Sequence, residues 1–154
     1  YKRQDDSPVY YFYLAQAEEY LGQISSAMNN YQKFINKTNI EYFHFNITAR
    51  QKLVIYYYEN EQYEKVIDLL QSKFGNPIKN YLRSSNNKAP ANSFYALMLL
   101  ASSYLLENEN LRALNEFYYI VDNIDQHKID DDFKNIILEN SKNYLDYIFK
   151  NISS

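Results

Sequence analysis

Three segments of the sequence repeat one pattern of large, small and polar residues. They are LAQAEEYLGQISSAMNNYQKFI (14–35), LVIYYYENEQYEKVIDLLQSKF (53–74) and LASSYLLENENLRALNEFYYIV (100–121). Each opens on a leucine, carries a small or compact residue in its second half, and places a large residue four positions after it. The small column is Ala27, Val66 and Ala113, and the large column is Tyr31, Leu70 and Phe117. Self-similarity of this kind predicts a repeat architecture, in which each unit buries its apolar face against its neighbours.

The residues between and around these segments favour helices. The chain of 154 residues holds only 2 Gly and 3 Pro, and apolar residues recur at helical spacing along most of its length. We predict seven main helices, at about 8–22, 24–37, 40–60, 62–74, 91–107, 111–125 and 130–151, with no strand. One short helical turn is also expected at 80–82.

The repeated columns resemble the tetratricopeptide repeat family. In that family a large residue and a Leu-Gly or Leu-Ala pair lie on helix A, a Gly marks the turn, and a small Ala on helix B lets the helices approach closely. The matching residues here are Tyr11, Leu14, Ala15, Gly22, Ile24, Ala27 and Tyr31 in the first unit, Tyr57, Tyr63 and Leu70 in the second, and Tyr104, Ala113 and Phe117 in the third.

The resemblance implies an all-α fold, a right-handed superhelix of antiparallel helix pairs closed by a C-terminal capping helix. It covers nearly the whole chain, so we expect a single domain over 1–154. Its parts are repeat 1 at about 8–37, repeat 2 at about 40–74, an insertion at about 75–91, repeat 3 at about 92–125 and the capping helix at about 130–151. Because the chain opens on Tyr1 without a Met, we also expect a fragment of a longer protein.

The chain departs from the family pattern at several positions. Glu61 and Asn108 stand where the turn Gly is expected, and Val66 replaces the small Ala. The units are also longer than the ~34 residues of a regular repeat. The repeats are therefore degenerate.

Composition and motifs argue against several functions. A net charge of −3 provides no basic field for nucleic acid, and no apolar run of ~18 residues is present to span a membrane. The chain has no Cys and no catalytic motif around His44 or His127, so we expect neither an enzyme nor a cofactor. The acidic residues at 130–132 lack the alternation of a calcium loop and instead suit a helix N-terminus, so no metal is expected.

By resemblance, helix A residues line the concave face of the superhelix. The predicted partner-binding groove consists of Phe12, Gln16, Glu19, Tyr20, Gln51, Ile55, Tyr58, Glu59, Tyr95, Met98 and Leu105. The family version that grips a C-terminal carboxylate needs basic residues at these positions, and none of these residues is basic. For Phe12, Tyr58, Met98 and Leu105 a core position is an equal alternative, because the insertion and long helices could fill the groove. For Tyr57, Tyr63 and Tyr104 the repeat positions favour the core.

These observations lead to a hypothesis of protein–protein interaction without catalysis. The partner would contribute a peptide segment or a helix, and the excess of Asn, Lys, Ile and Tyr is typical of an AT-rich bacterial genome. By analogy with the family we expect an accessory subunit of an envelope-associated complex, either periplasmic or at the membrane. Two alternatives stay open: a homodimerisation module, and an interaction domain of a regulatory or nucleic-acid-binding protein whose active part lies upstream.

Overall fold

The computed structural model describes residues 7–38, 41–72, 74–84 and 86–153, and throughout these ranges the regular structure is helical. The helices are α1 (Pro8–Tyr20), α2 (Ile24–Lys37), α3 (Phe43–Glu59), α4 (Tyr63–Leu70), α5 (Pro77–Leu82), α6 (Pro90–Leu106), α7 (Asn110–Asn123) and α8 (Asp131–Ser153). A single 3-10 turn (Ile124–Gln126) follows α7. The described residues contain no strand, so the all-α prediction is confirmed.

Helix α4 is shorter than predicted. It ends at Leu70, after which Gln71 is extended with φ −108° and ψ 130°. Phe74, the last residue of the second repeated segment, is 79% exposed, whereas Ile35 at the end of the first segment is 8% exposed. The alignment by residue type therefore fails at this position.

The chain leaves α4 early and then forms α5 inside the segment predicted as an insertion. Asn76 caps α5, since its side-chain oxygen accepts hydrogen bonds from the N–H groups of Ile78 (2.9 Å) and Lys79 (3.2 Å). Pro77 follows as the first helical residue, where its missing N–H costs nothing. Asn76 and Pro77 therefore start a new helix shortly after the point to which the periodic pattern predicted that α4 would continue.

The three turns at the middle of the repeat units share one backbone geometry. Gly22, Glu61 and Asn108 have φ values of 78°, 58° and 63°. In each turn the N–H of this residue bonds to the carbonyl three residues earlier (3.0, 3.0 and 3.1 Å). The next N–H bonds to the carbonyl five residues earlier, at 2.8 Å in all three. This is a Schellman termination, and it occurs at the same position of each unit although only the first has the glycine that adopts it freely.

The chain divides into two compact units, with the boundary between Tyr56 and Tyr57 inside α3. In the first unit, α1 packs along α2. The centre of this unit is aromatic: Phe12 lies edge-on to Tyr31 (ring centroids 5.6 Å apart), is tilted against Phe34 (5.3 Å), and stacks on Phe45 (4.5 Å).

The second unit is built around α6, which contacts α4, α5, α7 and α8. Its buried side chains include Phe94, Leu97 and Leu100. Helix α8 packs along α7, with Tyr144 stacked on Phe117 at 5.0 Å. Because α6 contacts four other helices, it is apolar on nearly every side.

Asp130 caps α8, as the acidic run at 130–132 predicted. The Asp130 side chain accepts hydrogen bonds from the N–H groups of Asp132 (3.1 Å) and Phe133 (3.2 Å). These bonds satisfy two N–H groups that have no partner within the helix, and the carboxylate also suits the positive end of the helix dipole. Within the described ranges, no helix combines the length and apolarity that crossing a membrane requires.

Candidate functional site

The predicted groove residues are divided between the two units. The first unit holds Phe12, Gln16, Glu19, Tyr20, Gln51 and Ile55, and the second holds Tyr58, Glu59, Tyr95, Met98 and Leu105. Each group is therefore described within its own unit. The prediction that all of them line one continuous groove stays a prediction.

In the first unit the structure places Phe12 in the core. Its side chain is 2% exposed and lies among the aromatic rings described above. Gln51 is buried as well, and Ile55 is half-buried. The core alternative therefore holds for Phe12, which has no surface to offer a partner in this conformation.

Glu19 belongs to a polar network on the first unit. It forms an ion pair with Lys52 at 2.8 Å and accepts a hydrogen bond from the hydroxyl of Tyr31. Burial, together with the hydrogen bond and the negative charge of Glu19, holds the pKa of Tyr31 well above its usual value. Lys52 is a basic residue next to Gln51 on α3, and it was not among the predicted groove residues.

The other predicted residues of this unit are accessible. Gln16 is exposed, and Tyr20, at the end of α1, is 92% exposed. Leu21 and Ile24 are also exposed beside the same turn. All three exposed side chains lie at the turn between α1 and α2.

The second unit brings five hydroxyl-bearing side chains together from four helices. We call Tyr58, Tyr63, Tyr95, Ser102 and Tyr144 the tyrosine cluster. They lie on α3, α4, α6 and α8. Tyr58 is hydrogen bonded to Ser102, and its ring meets that of Tyr63 edge-on at 5.4 Å. All four tyrosines are half-buried, so their rings pack while part of each side chain stays accessible.

The surroundings of Tyr58 hold its hydroxyl in the protonated form. Burial raises the pKa of Tyr58, the hydrogen bond from Ser102 opposes this, and the nearby hydroxyls of Tyr144, Tyr63 and Tyr95 raise it further. A phenol with a raised pKa stays protonated at neutral pH. The cluster can therefore donate and accept hydrogen bonds, but its Tyr58 hydroxyl is a poor base or nucleophile.

Along α6 the predicted residues share one face with Ser102. Tyr95, Met98, Ser102 and Leu105 are spaced by three, four and three residues, which places them on one stripe of the helix. Met98 is buried and Leu105 is half-buried. Glu59, the last residue of α3, is exposed. The structure thus brings Tyr58 and Tyr95 together and adds Leu105 at the end of the stripe.

The structure distinguishes the three tyrosines whose repeat positions favoured the core. Tyr63 is only half-buried, and its ring meets that of Tyr58 edge-on. Tyr57 is half-buried beneath the ammonium group of Lys65, at 5.1 Å from the ring centre. No sequence signal linked Tyr144 of α8 to Tyr58. Tyr104 is buried, as its repeat position predicted.

Helix α5, in the predicted insertion, is attached to α7 and α6. The ammonium group of Lys79 lies 2.9 Å from the carboxylate of Glu116 and 4.5 Å above the ring of Tyr119. On α7, Tyr118 contacts Phe149 of α8 at 6.2 Å, and the helical positions of 116 and 118 face different sides. Helices α5 and α8 therefore flank α7 on different sides, and Lys79 is directed at α7 and not at the tyrosine cluster.

The two histidines occupy ordinary positions. The ring of His127 lies edge-on to Phe94 at 5.3 Å, and His44 is exposed near the start of α3. A cleft of about 450 Å³ lies elsewhere in the second unit, beside Gln71, Tyr104 and Glu116. Its Glu116 carboxylate already pairs with Lys79. These positions provide no second candidate as well formed as the tyrosine cluster.

Comparisons with known proteins yield no relative: no protein-family model, no curated protein and no solved structure matches this chain.

Proposed function

We propose that the chain is a non-enzymatic protein–protein interaction module that holds a segment of a partner protein on the face carrying the tyrosine cluster. The observation that supports this most directly is the convergence of four half-buried tyrosines on a face that ends in Leu105. Tyrosine is enriched at protein interfaces because its ring buries area with little loss of side-chain entropy while its hydroxyl supplies a hydrogen bond.

We also propose that the helices form a degenerate tetratricopeptide-like superhelix. The shared geometry of the three turns supports this, because it repeats at the positions where the aligned segments predict it. An accessory role in a bacterial envelope-associated complex is part of the same proposal and rests on analogy with the family.

Site-specific photo-crosslinking tests the proposed function. A benzophenone amino acid is placed at Leu105, at the end of the α6 stripe, and the bacterial lysate is irradiated. The matched control carries the same group at Tyr118, which is exposed on α7 and contacts α8. We expect one dominant protein product from position 105 and none of the same mass from position 118. Identical products from both positions would refute a specific face, and a product of twice the chain mass would assign the face to homodimerisation.

A further inference from the structure

We propose that one end of the first unit binds the surface of an anionic lipid bilayer. We call it the aromatic end, and its exposed side chains are Tyr10, Tyr13, Lys33, Lys37, Tyr42 and Phe43. This surface is separate from the tyrosine cluster, which belongs to the second unit. The inference goes beyond the proposed function, because it gives the chain a second contact, made with lipid and not with a protein.

The directions of the helices in the first unit bring these residues to one end. Phe12 of α1 stacks on Phe45 of α3, and Glu19 of α1 pairs with Lys52 of α3. Both contacts join residues thirty-three positions apart, so α1 and α3 run in the same direction. Helix α2 runs in the opposite direction, since Phe12 also contacts Phe34 close to the end of α2. The start of α1, the end of α2 and the start of α3 therefore lie together.

The rings at this end contact one another and remain open to solvent. Tyr13 meets Phe45 edge-on at 5.9 Å, and the ring of Tyr42 lies parallel to that of Phe45 at 6.4 Å. The exposed fractions lie between 36% and 55% for Tyr10, Tyr13, Tyr42 and Phe43. A tyrosine in such a position has an apolar ring to bury and a hydroxyl to keep in water. This combination is typical of the aromatic residues at membrane–water interfaces.

Two exposed ammonium groups border these rings. Lys33 and Lys37 lie one helical turn apart near the end of α2, and their nitrogens are 5.9 and 5.6 Å from the ring centre of Tyr11. The ring of Tyr11 in turn contacts that of Tyr10 at 5.6 Å. A lysine can cover apolar surface with its methylene groups while its ammonium group stays at the level of the lipid headgroups. Basic residues beside exposed aromatic rings are typical of surfaces that lie on anionic lipid.

The distribution of charge favours an anionic occupant at this end. Residues 1–56 contain six Lys and Arg against five Asp and Glu, whereas residues 57–154 contain ten against fourteen. Within the described part of the first unit, Glu18 and Glu19 lie at the opposite end of α1, and Glu41 is the one carboxylate at the aromatic end. An anionic bilayer therefore attracts the aromatic end, whereas the second unit has the wrong sign of charge for such a contact.

Co-sedimentation of the full chain with lipid vesicles tests the inference. One set of vesicles is phosphatidylcholine alone and the other contains about 30% phosphatidylglycerol, each at about 50 and about 500 mM NaCl. The variants are Tyr13→Gln, Tyr42→Asn and the double change Lys33→Gln with Lys37→Gln. Asparagine suits position 42 because it tolerates the left-handed φ of 55° found there. The matched control is Tyr20→Gln, at the opposite end of α1, and circular dichroism checks that each variant is folded.

We expect the wild type to bind the anionic vesicles at least about tenfold more tightly than the neutral ones, and to lose most of this difference at the higher salt concentration. The double lysine variant should lose about tenfold in affinity for the anionic vesicles alone. Tyr13→Gln and Tyr42→Asn should each weaken binding to both kinds of vesicle about threefold to tenfold, because less apolar surface is buried. Tyr20→Gln should leave binding unchanged.

Absence of sedimentation with the anionic vesicles would overturn the inference, as would equal losses in Tyr13→Gln and Tyr20→Gln. Light scattering without lipid examines a second copy of the chain as the occupant. A dimer that Tyr13→Gln abolishes would assign the aromatic end to that copy and would also overturn the inference. The proposed function is tested separately, by crosslinking at Leu105, and does not depend on these results.

Discussion

Gly22→Ala should destabilise the protein, and Glu61→Gly should stabilise it, because both residues hold the left-handed backbone conformation that ends a helix. Their φ values are 78° and 58°. A side chain in this region costs about 1–2 kcal/mol, and the extra freedom of glycine in the unfolded chain offsets about 0.4–1 kcal/mol of that. The difference predicts a change in the free energy of unfolding of roughly 0.5–1.5 kcal/mol, of opposite sign in the two variants.

The structure separates this backbone effect from packing. A Cβ atom added at Gly22 meets no atom within 4 Å, so the cost of alanine there comes from the backbone alone. Glu61 is exposed, so its replacement opens no cavity. The matched control is Glu139→Gly, at an exposed position inside α8, where glycine should destabilise by about 0.5–1 kcal/mol. The same chemical change therefore has opposite predicted signs at two exposed glutamates.

Urea unfolding followed by circular dichroism measures these effects as shifts of the midpoint at constant slope. Asn108→Gly should also stabilise, by less than Glu61→Gly, because asparagine tolerates the left-handed region better than glutamate does. If Glu61→Gly destabilises as Glu139→Gly does, the turn after α3 is not left-handed and the shared turn geometry of the three repeat units is refuted.

Three further predictions concern the core, α5 and alkaline pH. Phe12→Ala should lower the free energy of unfolding, measured with urea, by about 3–5 kcal/mol. Tyr20→Ala, at a 92% exposed position, should lower it by less than about 0.5 kcal/mol. Equal losses would contradict the core position of Phe12. Lys79→Ala leaves the half-buried Glu116 carboxylate unpaired, so it should destabilise the protein by roughly 1–3 kcal/mol and speed amide exchange in α5. Adding Glu116→Gln to this variant should restore part of the lost stability. Because burial raises the pKa of Tyr58, its contribution to stability is complete below the unfolded-state pKa of about 10 and is lost as pH rises through the higher folded pKa. Urea midpoints between pH 8 and 11 should therefore fall less steeply for Tyr58→Phe than for the wild type.

Local features of the sequence were enough to predict most helices. The first two helices were predicted at 8–22 and 24–37 and occur at Pro8–Tyr20 and Ile24–Lys37. Helical periodicity acts over a few residues, so it can be read without the fold. The same holds for the cap on α8, because Asp130 bonds to N–H groups two and three residues away. Departures appeared where local signals competed, as at the end of α4, where the cap of α5 follows closely after Leu70.

The candidate site was predictable only in part. The family resemblance predicted Tyr95, Met98 and Leu105 as groove residues, and their spacing puts them on one stripe of α6 because helical phase is a local property. The sequence could not decide which of Tyr56, Tyr57 and Tyr58 contacts Tyr63, because that contact depends on the rotation of α3 against α4 and α6. It also could not find Tyr144, which reaches the cluster from a helix more than eighty residues along the chain.

The sequence by itself determined most of the helices, the positions of the three repeat turns and which residues share one stripe of α6, because each follows from interactions between residues a few positions apart. Only the tertiary structure decided that Phe12 is core, that Lys79 attaches α5 to α7, and that Tyr58 joins a cluster of hydroxyl groups. Burial and pKa depend on which helices surround a side chain, and those neighbours are distant in sequence. For this reason the identity of the helices was readable in advance, while the chemistry of the face they form was not.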